Sequence, residues 1–231
     1  MKRKGTQILN RRVMVIVSIA VFLLVSILAV AHYNLSIQDA NHMARKYLTA
    51  ITEGVRETVD AWLQEKCNAV HLLATSPSIR EIARTNPVDA RPVLLHFFNV
   101  MGGYEAAFLT DTDGFIRVDT HPEHDRPAVD IKTRSYWKAF SENDFKLLLN
   151  PVIERSPVTG KLVFVIIEGI RDEDGTLLGN IGTSIDWDQF LDKFLLPVKV
   201  GNTGYVAITD LNGRNIGHLD KSLNLEDLSS E

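Results

Sequence analysis

The sequence predicts an α+β fold, in which a long N-terminal helix packs on a five-stranded antiparallel sheet and a second, similar module begins near the C-terminus. Three observations support this prediction. Apolar residues recur at helical spacing over about forty residues, and the spacing changes to that of strands after residue 103. One strand-and-turn pattern also occurs twice. A run of helices followed by a run of strands is typical of α+β folds.

The N-terminal segment is typical of a membrane-spanning helix with a cytoplasmic tail. Residues 1–12 carry five basic residues and no acidic one, and residues 13–31 form a run of nineteen without a charge. A helix of that length covers about 28 Å, close to the hydrocarbon thickness of a bilayer. Because basic residues stay on the cytoplasmic side, we expect a cytoplasmic tail over 1–12, a transmembrane helix over 13–32 and an exported body after it.

A cleaved signal peptide is the alternative for the same segment, since Ala29, Val30 and Ala31 resemble a small-residue cleavage site. The apolar run is longer than the usual stretch of about 7–15 residues, which favours an uncleaved anchor. Both alternatives export the body. The predicted location is therefore the inner cell membrane, with a single pass and with the body in the periplasm or the extracellular space.

The charge of the exported body excludes nucleic acid as an expected partner. Beyond residue 12, 20 basic residues against 29 acidic ones leave a net charge of −9. No basic stripe interrupts this acidic excess, and nucleic-acid binding requires one.

The helices are predicted in the first half of the body. An apolar stripe at steps of three and four predicts one long helix over 35–75, although the stripe alone is equally typical of an ordinary core helix. Ser76 and Pro77 then favour the start of a short helix that ends near residue 84. A third helix is predicted over 88–101, where two glycines end it.

The strands follow, and they share apolar runs bounded by turn residues. They are predicted over 104–110, 115–119, 148–153, 162–170 and 177–186. Short helices are predicted over 134–143 and 188–195. The sequence thus divides into a long helix with one complete module over 35–196 and the start of an incomplete second module over 197–231.

The repeated pattern is a strand that ends in a tight turn. The first copy runs from Tyr104 to Gly114 and the second from Tyr205 to Gly213, with Asp111 and Asp210 at equivalent positions 99 residues apart. An Asp side chain can accept a hydrogen bond from the backbone two residues on, and the glycine supplies a positive φ. Two copies at this spacing predict a duplicated module.

These elements resemble, in their order and spacing, the double Cache sensor domains of bacterial chemoreceptors, sensor kinases and cyclases. The resemblance is carried by the N-terminal anchor, the long first helix and the segments 108–114, 130–137, 151–152, 159–161, 179–186 and 204–213. It implies a PAS-like, membrane-distal module that binds a small extracellular ligand and signals across the bilayer to a cytoplasmic output domain. It also implies a homodimer through the long helix, although the apolar stripe of that helix is expected to be buried already by packing on the sheet.

Five residues are the candidates for ligand binding. Arg134, Tyr136 and Trp137 are predicted to share one helical turn, where the guanidinium suits a carboxylate and the rings suit an apolar or cationic group. Asp186 could pair with an amine, so that it and Arg134 together would bind a zwitterion. Asp119, at the end of the second strand, completes the set.

Each of these candidates has a structural alternative. Arg134 could pair with a loop acid such as Asp130 while the two aromatic residues pack in the core, and Asp186 could cap the following helix. Amino-acid-binding members of the resembled family have the order Arg-x-Trp-Tyr and a later Tyr-x-Asp. Here the order is Arg-x-Tyr-Trp, and no Tyr-x-Asp precedes Thr159.

No cofactor, metal or catalytic role is expected. His121 and His124 are three residues apart, but a third ligand at fixed spacing is missing, so a solvated loop is predicted there. The sequence contains no Gly-x-Ser-x-Gly motif, no phosphate-binding loop and no cysteine beside a base.

The sequence therefore predicts a membrane-anchored extracytoplasmic sensor domain that binds an amino acid, an amine or an organic acid for signal transduction or chemotaxis. The alternative is a secreted or anchored ligand-binding protein, or the remnant of a truncated receptor, without a signalling output. The predicted partners are a small extracellular ligand, the lipid bilayer and a second copy of the chain.

Overall fold

The structure, a computed structural model, describes residues 2–122, 129–201, 204–210, 213–218 and 220, with side chains from Phe22 onward. The helices are α1 (Lys2–Ala74), α2 (Pro77–Thr85), α3 (Arg91–Met101), α4 (Trp137–Glu142) and α5 (Trp187–Phe194), with 3-10 helices at Pro87–Ala90 and Ile131–Thr133. The strands are β1 (Ala106–Thr110), β2 (Ile116–Asp119), β3 (Leu148–Arg155), β4 (Leu162–Arg171), β5 (Leu177–Asp186), β6 (Ile208–Thr209) and β7 (Asn215–Gly217). The chain divides into two compact units, residues 1–54 and residues 55–231.

The first unit is the N-terminal part of α1, and its described apolar side chains are exposed except for the half-buried Ile51. Phe22 is 71% exposed and Leu28 is 60% exposed. By length and composition, this part of α1 is a candidate membrane span. A helix that presents apolar side chains without a protein partner meets the physical requirement for a segment in lipid.

The second unit contains the predicted five-stranded antiparallel sheet, in the order β2-β1-β5-β4-β3. All four pairings in this sheet are antiparallel, so the predicted α+β class is confirmed. The predicted long N-terminal helix is confirmed by α1. The pairing of β1 with β5 places Phe108 opposite Gly182 and joins the β1–β2 pair to the three strands β3, β4 and β5.

The two faces of the sheet are covered differently. One face packs against the end of α1, α2, α3 and α5, and its core includes Leu109, Phe164, Ile166, Ile181 and Ile185. The other face carries a smaller core beneath the loop and α4, built from Phe108, Ile131, Tyr136, Phe140, Val165 and Ile167. Because side chains alternate along a strand, neighbouring residues of β4 and β5 serve these two separate cores.

The predicted start of α2 is confirmed, with Ser76 at the N-cap and Pro77 as the first helical residue, whereas the start of the third helix differs from the prediction. Ser76 occupies the N-cap position of α2, but its side chain makes no capping hydrogen bond. The third helix begins at Arg91 rather than at residue 88, because Pro87–Ala90 forms a 3-10 helix first.

The two repeated turns share one hydrogen bond between the Asp carboxylate and the backbone amide four residues on. Asp111 Oδ1 accepts a hydrogen bond from the backbone amide of Phe115 at 2.9 Å, and Asp210 Oδ1 accepts one from the amide of Arg214 at 3.0 Å. In the first turn, Asp111 therefore bonds the fourth residue on rather than the predicted second one, whereas the residue two positions after Asp210 lies outside the described residues.

The second turn joins β6 to β7, and this hairpin packs on α5. The indole Nε1 of Trp187 donates a hydrogen bond to the carbonyl of Ile216. Val206, Ile208 and Ile216 contact the larger core. The start of the predicted second module thus contacts the helix that follows the sheet.

Candidate functional site

A small cavity lies on the α4 side of the sheet, beneath the turn between β3 and β4. Its volume is about 30 Å³, which is room for about one or two water molecules. Apolar side chains of the sheet, including Phe108, Val163 and Val165, form its floor. Its polar lining consists of Glu105, Asp119, Arg134, Tyr136, Glu154, Ser156 and Ser184.

Arg134 approaches this cavity from extended backbone rather than from a helix. Its φ of −85° and ψ of 150° place it between the second 3-10 helix and α4, and Tyr136 is the N-cap residue of α4. The prediction that Arg134, Tyr136 and Trp137 share one helical turn is therefore wrong. The carbonyl of Ile131 accepts a bond from the Arg134 amide and closes the 3-10 turn, so the chain starts α4 only after a break.

The guanidinium of Arg134 is held by the end of β3. Its Nη2 donates to the carbonyl of Arg155 at 2.6 Å and pairs with Glu154 Oε2 at 3.1 Å. In the described part of the chain, Nη1 and Nε make no hydrogen bond. Asp130, the alternative partner, instead accepts from the amide of Lys132. Arg134 thus keeps donors for a further acceptor.

Glu154 has one carboxylate oxygen in use and one without a partner. Oε2 pairs with Arg134 and lies 3.4 Å from the Ser135 hydroxyl, whereas Oε1 is buried and has no hydrogen-bond partner among the described residues. A buried acceptor that is left unpaired costs about 1–3 kcal/mol, more when it is charged. This oxygen therefore favours a donor that enters the cavity.

Glu105 fastens the β3–β4 turn to the sheet. Its Oε1 accepts hydrogen bonds from the hydroxyls of Ser156, at 3.0 Å, and Thr159, and its Oε2 accepts one from the hydroxyl of Ser184. No described cationic side chain lies within 4.0 Å of this carboxylate. Glu105 therefore combines a negative charge with three neutral donors that can exchange partners.

Two other predicted residues line the same cavity. Tyr136 is buried, and burial raises the pKa of its hydroxyl, with the charge of Glu154 adding to the effect, so the hydroxyl stays protonated. Asp119 Oδ1 accepts a hydrogen bond from the amide of His121 at 2.8 Å, and its backbone carbonyl accepts one from Arg91.

Trp137 and Asp186 are not among the lining residues. Trp137 packs edge-on against Phe140 and Phe145, with ring centroids 6.1 Å and 5.8 Å away. Asp186 Oδ1 accepts from the amide of Gln189 as the N-cap of α5, and its Oδ2 pairs with Lys161 Nζ at 2.8 Å. The structure thus brings together three of the five candidates and gives the other two packing and capping contacts.

Sequence reasoning missed Glu105, Glu154 and Ser184. Ser184 carried a usable signal, because it lies two residues before Asp186 in the same strand and so shares its face of the sheet. Glu105 and Glu154 carried none, since their proximity depends on the order of strands that are far apart in the sequence.

No group of three or more His, Cys, Asp or Glu side chains that could hold a metal ion occurs among the described residues. His124, one member of the histidine pair in the loop, lies outside the described residues, as does Asp125.

The sequence and the fold both match known proteins. Residues 36–230 match the family profile of the Cache domain, which is most of the chain. The chain belongs to the Cache domain family. No similar sequence was found among curated proteins.

Solved structures of chemoreceptor ligand-binding domains share the fold of this Cache domain. That of Pseudomonas fluorescens CtaA with L-serine has a TM-score of 0.62 at 19% identity, covering 80% of this chain and 76% of its own. The ligand-binding domain of Mlp24 with asparagine has a TM-score of 0.60 at 19% identity, and the match covers 84% of this chain and 78% of its own. The ligand-binding domain of Pseudomonas aeruginosa PctB with L-Gln has a TM-score of 0.56 at 20% identity, and the match covers 80% of this chain and 72% of its own.

Proposed function

We propose that this Cache domain is the extracytoplasmic sensor of a membrane receptor and that the cavity beside Arg134 binds a small molecule with a protonated amino group. The observation that carries the proposal is the buried, unpartnered Oε1 of Glu154 in the cavity lining. An ammonium group would supply the missing donor and a compensating charge. Glu105 and Asp119 add further negative charge to the same lining.

Arg134 extends the proposed ligand chemistry to amino acids. The unused donors of its guanidinium can bind a carboxylate in a bidentate manner while Glu154 binds the amine. The pair therefore suits the two charges of a zwitterion, in the way that Arg134 and Asp186 were expected to act. L-serine, asparagine and L-Gln occupy solved domains of the same fold, which supports this class.

Binding is proposed to open the turn between β3 and β4. A cavity of about 30 Å³ is too small for an amino acid, so the proposed ligand binds a second, more open arrangement. The hydroxyls of Ser156 and Thr159 that now bond Glu105 are the contacts that such an opening would exchange. A ligand that binds the open form better shifts the population toward it.

The proposed location rests on the N-terminal helix. Its exposed apolar side chains and the basic residues that precede them support a single membrane pass with the sensor domain outside the cytoplasm. Added protease should therefore digest the body from the outside of cells whose outer membrane has been permeabilised. Protection of the body under those conditions would contradict the location.

A thermal-shift and calorimetric titration of the full chain in non-ionic detergent tests the ligand class. L-serine, putrescine and succinate serve as probes of a zwitterion, a diamine and a dicarboxylate. At least one probe with an amino group is expected to stabilise the protein, and succinate is expected to have no effect at this cavity. Stabilisation that is limited to succinate and is lost in Arg134→Ala would refute the proposal.

Replacing Arg134 by alanine is expected to weaken binding of a zwitterionic probe at least tenfold, because charged hydrogen bonds are worth about 1.5–3 kcal/mol. Arg117→Ala is the matched control, since Arg117 is an exposed arginine that pairs with Asp111 outside the cavity lining. Calorimetry should give unchanged affinity for this control. Equal affinity in the two variants would show that the ligand binds elsewhere.

A further inference from the structure

A second, larger cavity lies on the opposite side of the sheet, where the end of α1 meets α5. Its volume is about 260 Å³, close to the lower end of small-molecule sites. It shares no lining residue with the cavity beside Arg134. Its lining includes Trp62, Lys66, Gly103, Gln189, Phe190 and Lys193.

Lys66 is a buried cation at the wall of this cavity. Its residue is only 2% exposed, and its Nζ donates to the carbonyls of Met101 and Gly102 at 3.1 Å and 2.8 Å. The ammonium also lies 4.5 Å from the centre of the Tyr104 ring. These contacts use two of its three protons and supply no negative charge.

Lys193 brings a second positive charge to the same place. Its Nζ lies 5.4 Å from the centre of the Trp62 ring, the same distance as the Nζ of Lys66. Among the described residues that line the cavity, none is acidic. Burial lowers the pKa of Lys66, Glu65 partly opposes this, and the charge of Lys193 lowers it further.

Aromatic rings form another part of the cavity lining. Trp62 and Phe190 pack with ring centroids 5.8 Å apart. Gly103 has a φ of +74°, and a Cβ there would lie 3.5 Å from the Trp62 ring and 3.8 Å from Lys66 Nζ. A glycine at this position therefore suits the backbone and leaves space beside the ammonium group.

We propose that this second cavity binds a small organic carboxylate whose charge lies between Lys66 and Lys193 and whose apolar body lies against Trp62 and Phe190. An anion here would balance two charges that otherwise repel each other in a partly desolvated site. Because Lys66 belongs to α1 and Lys193 to α5, the bound anion would also tie these two helices together. This proposal is independent of the amino-group ligand at the first cavity.

The test uses the full chain in non-ionic detergent, with sodium benzoate as the probe and sodium chloride at equal ionic strength as the reference. Benzoate is expected to raise the Tm above the chloride reference, whereas benzamide, its uncharged analogue, is not. Calorimetry should show that Lys193→Gln weakens benzoate binding at least fivefold. Lys193 is exposed, so this variant should keep the fold.

Two controls locate the binding site. Lys146→Gln removes an exposed lysine that does not line the cavity and should leave benzoate affinity unchanged. Arg134→Ala should also leave it unchanged, because Arg134 belongs to the other cavity. Equal benzoate affinity in Lys193→Gln and Lys146→Gln, loss of binding in Arg134→Ala, or a benzamide response equal to that of benzoate would overturn the proposal.

Discussion

Replacing Phe140 by alanine is expected to lower the free energy of unfolding by about 3–5 kcal/mol. Phe140 is fully buried in the smaller core, and its ring meets the ring of Phe145 edge-on with centroids 5.2 Å apart. Removing the ring forfeits its burial and leaves a cavity that the sheet on one side cannot close. The effect is large because Phe140 is fully buried and its ring packs edge-on against both Trp137 and Phe145.

Urea denaturation followed by tryptophan fluorescence measures this loss. All three tryptophans lie in residues 55–231, so the signal reports on this unit rather than on residues 1–54. Val152→Ala is the control, since Val152 is 45% exposed in β3 and should change stability by less than about 0.5 kcal/mol. A Phe140→Ala loss no larger than that of the control would contradict the assignment of this core.

The sheet was predictable because its signals are local. Each of the five main strands is an apolar run with turn residues beside it, and turns such as the one at Gly114 need a positive φ, which is +79° there. The register and order of the strands were not predictable, since they follow from the packing of residues such as Phe108 against Gly182. The start of α4 was predicted wrongly because no local sequence signal marks it. A short polar loop has no periodicity, and the contact of Arg134 with β3 sets its backbone.

The candidate site was predictable only in part. Arg134 stood out through its residue type beside two aromatic residues, but its partner Glu154 comes from a strand twenty residues later. Asp186 was an equally clear candidate, but an aspartate at the end of a strand and before a helix is expected in the sequence both for an amine-binding residue and for a helix cap. Its contacts in the structure place it between the β3–β4 turn and α5.

Asp186 therefore has a position that can link the first cavity to the rest of the chain. Lys161, which follows the turn, pairs with Asp186 Oδ2, while Asp186 Oδ1 caps α5. The next residue, Trp187, bonds the carbonyl of Ile216 in the second hairpin. These polar contacts are continuous from the β3–β4 turn to α5. If a ligand displaced the turn, they would pass the displacement on to α5. Coupling of this kind requires two arrangements of the same contacts.

Replacing Asp186 by alanine is expected to cost about 2–3 kcal/mol of stability, because the change removes a helix cap worth about 0.5–2 kcal/mol together with a charged hydrogen bond. Asp186→Asn is the matched variant. Asparagine also caps helices, so this change keeps the cap, removes the charge and should cost about 1 kcal/mol. Equal losses in the two variants would show that the cap contributes nothing.

The pH dependence separates the charge of Asp186 from its shape. Burial alone would raise the pKa of this carboxyl, but hydrogen bonds from Lys161 and the amide of Gln189 outweigh burial, and the pKa lies below its ordinary value. A lowered folded-state pKa gives stability that is fully present above the unfolded value of about 3.9 and is lost as the pH falls through the folded value. Urea titrations of the wild type and Asp186→Asn at pH 7 and at pH 3 should therefore differ most at pH 7. A gap that stays constant down to pH 3 would mean that the ion pair with Lys161 does not stabilise the fold.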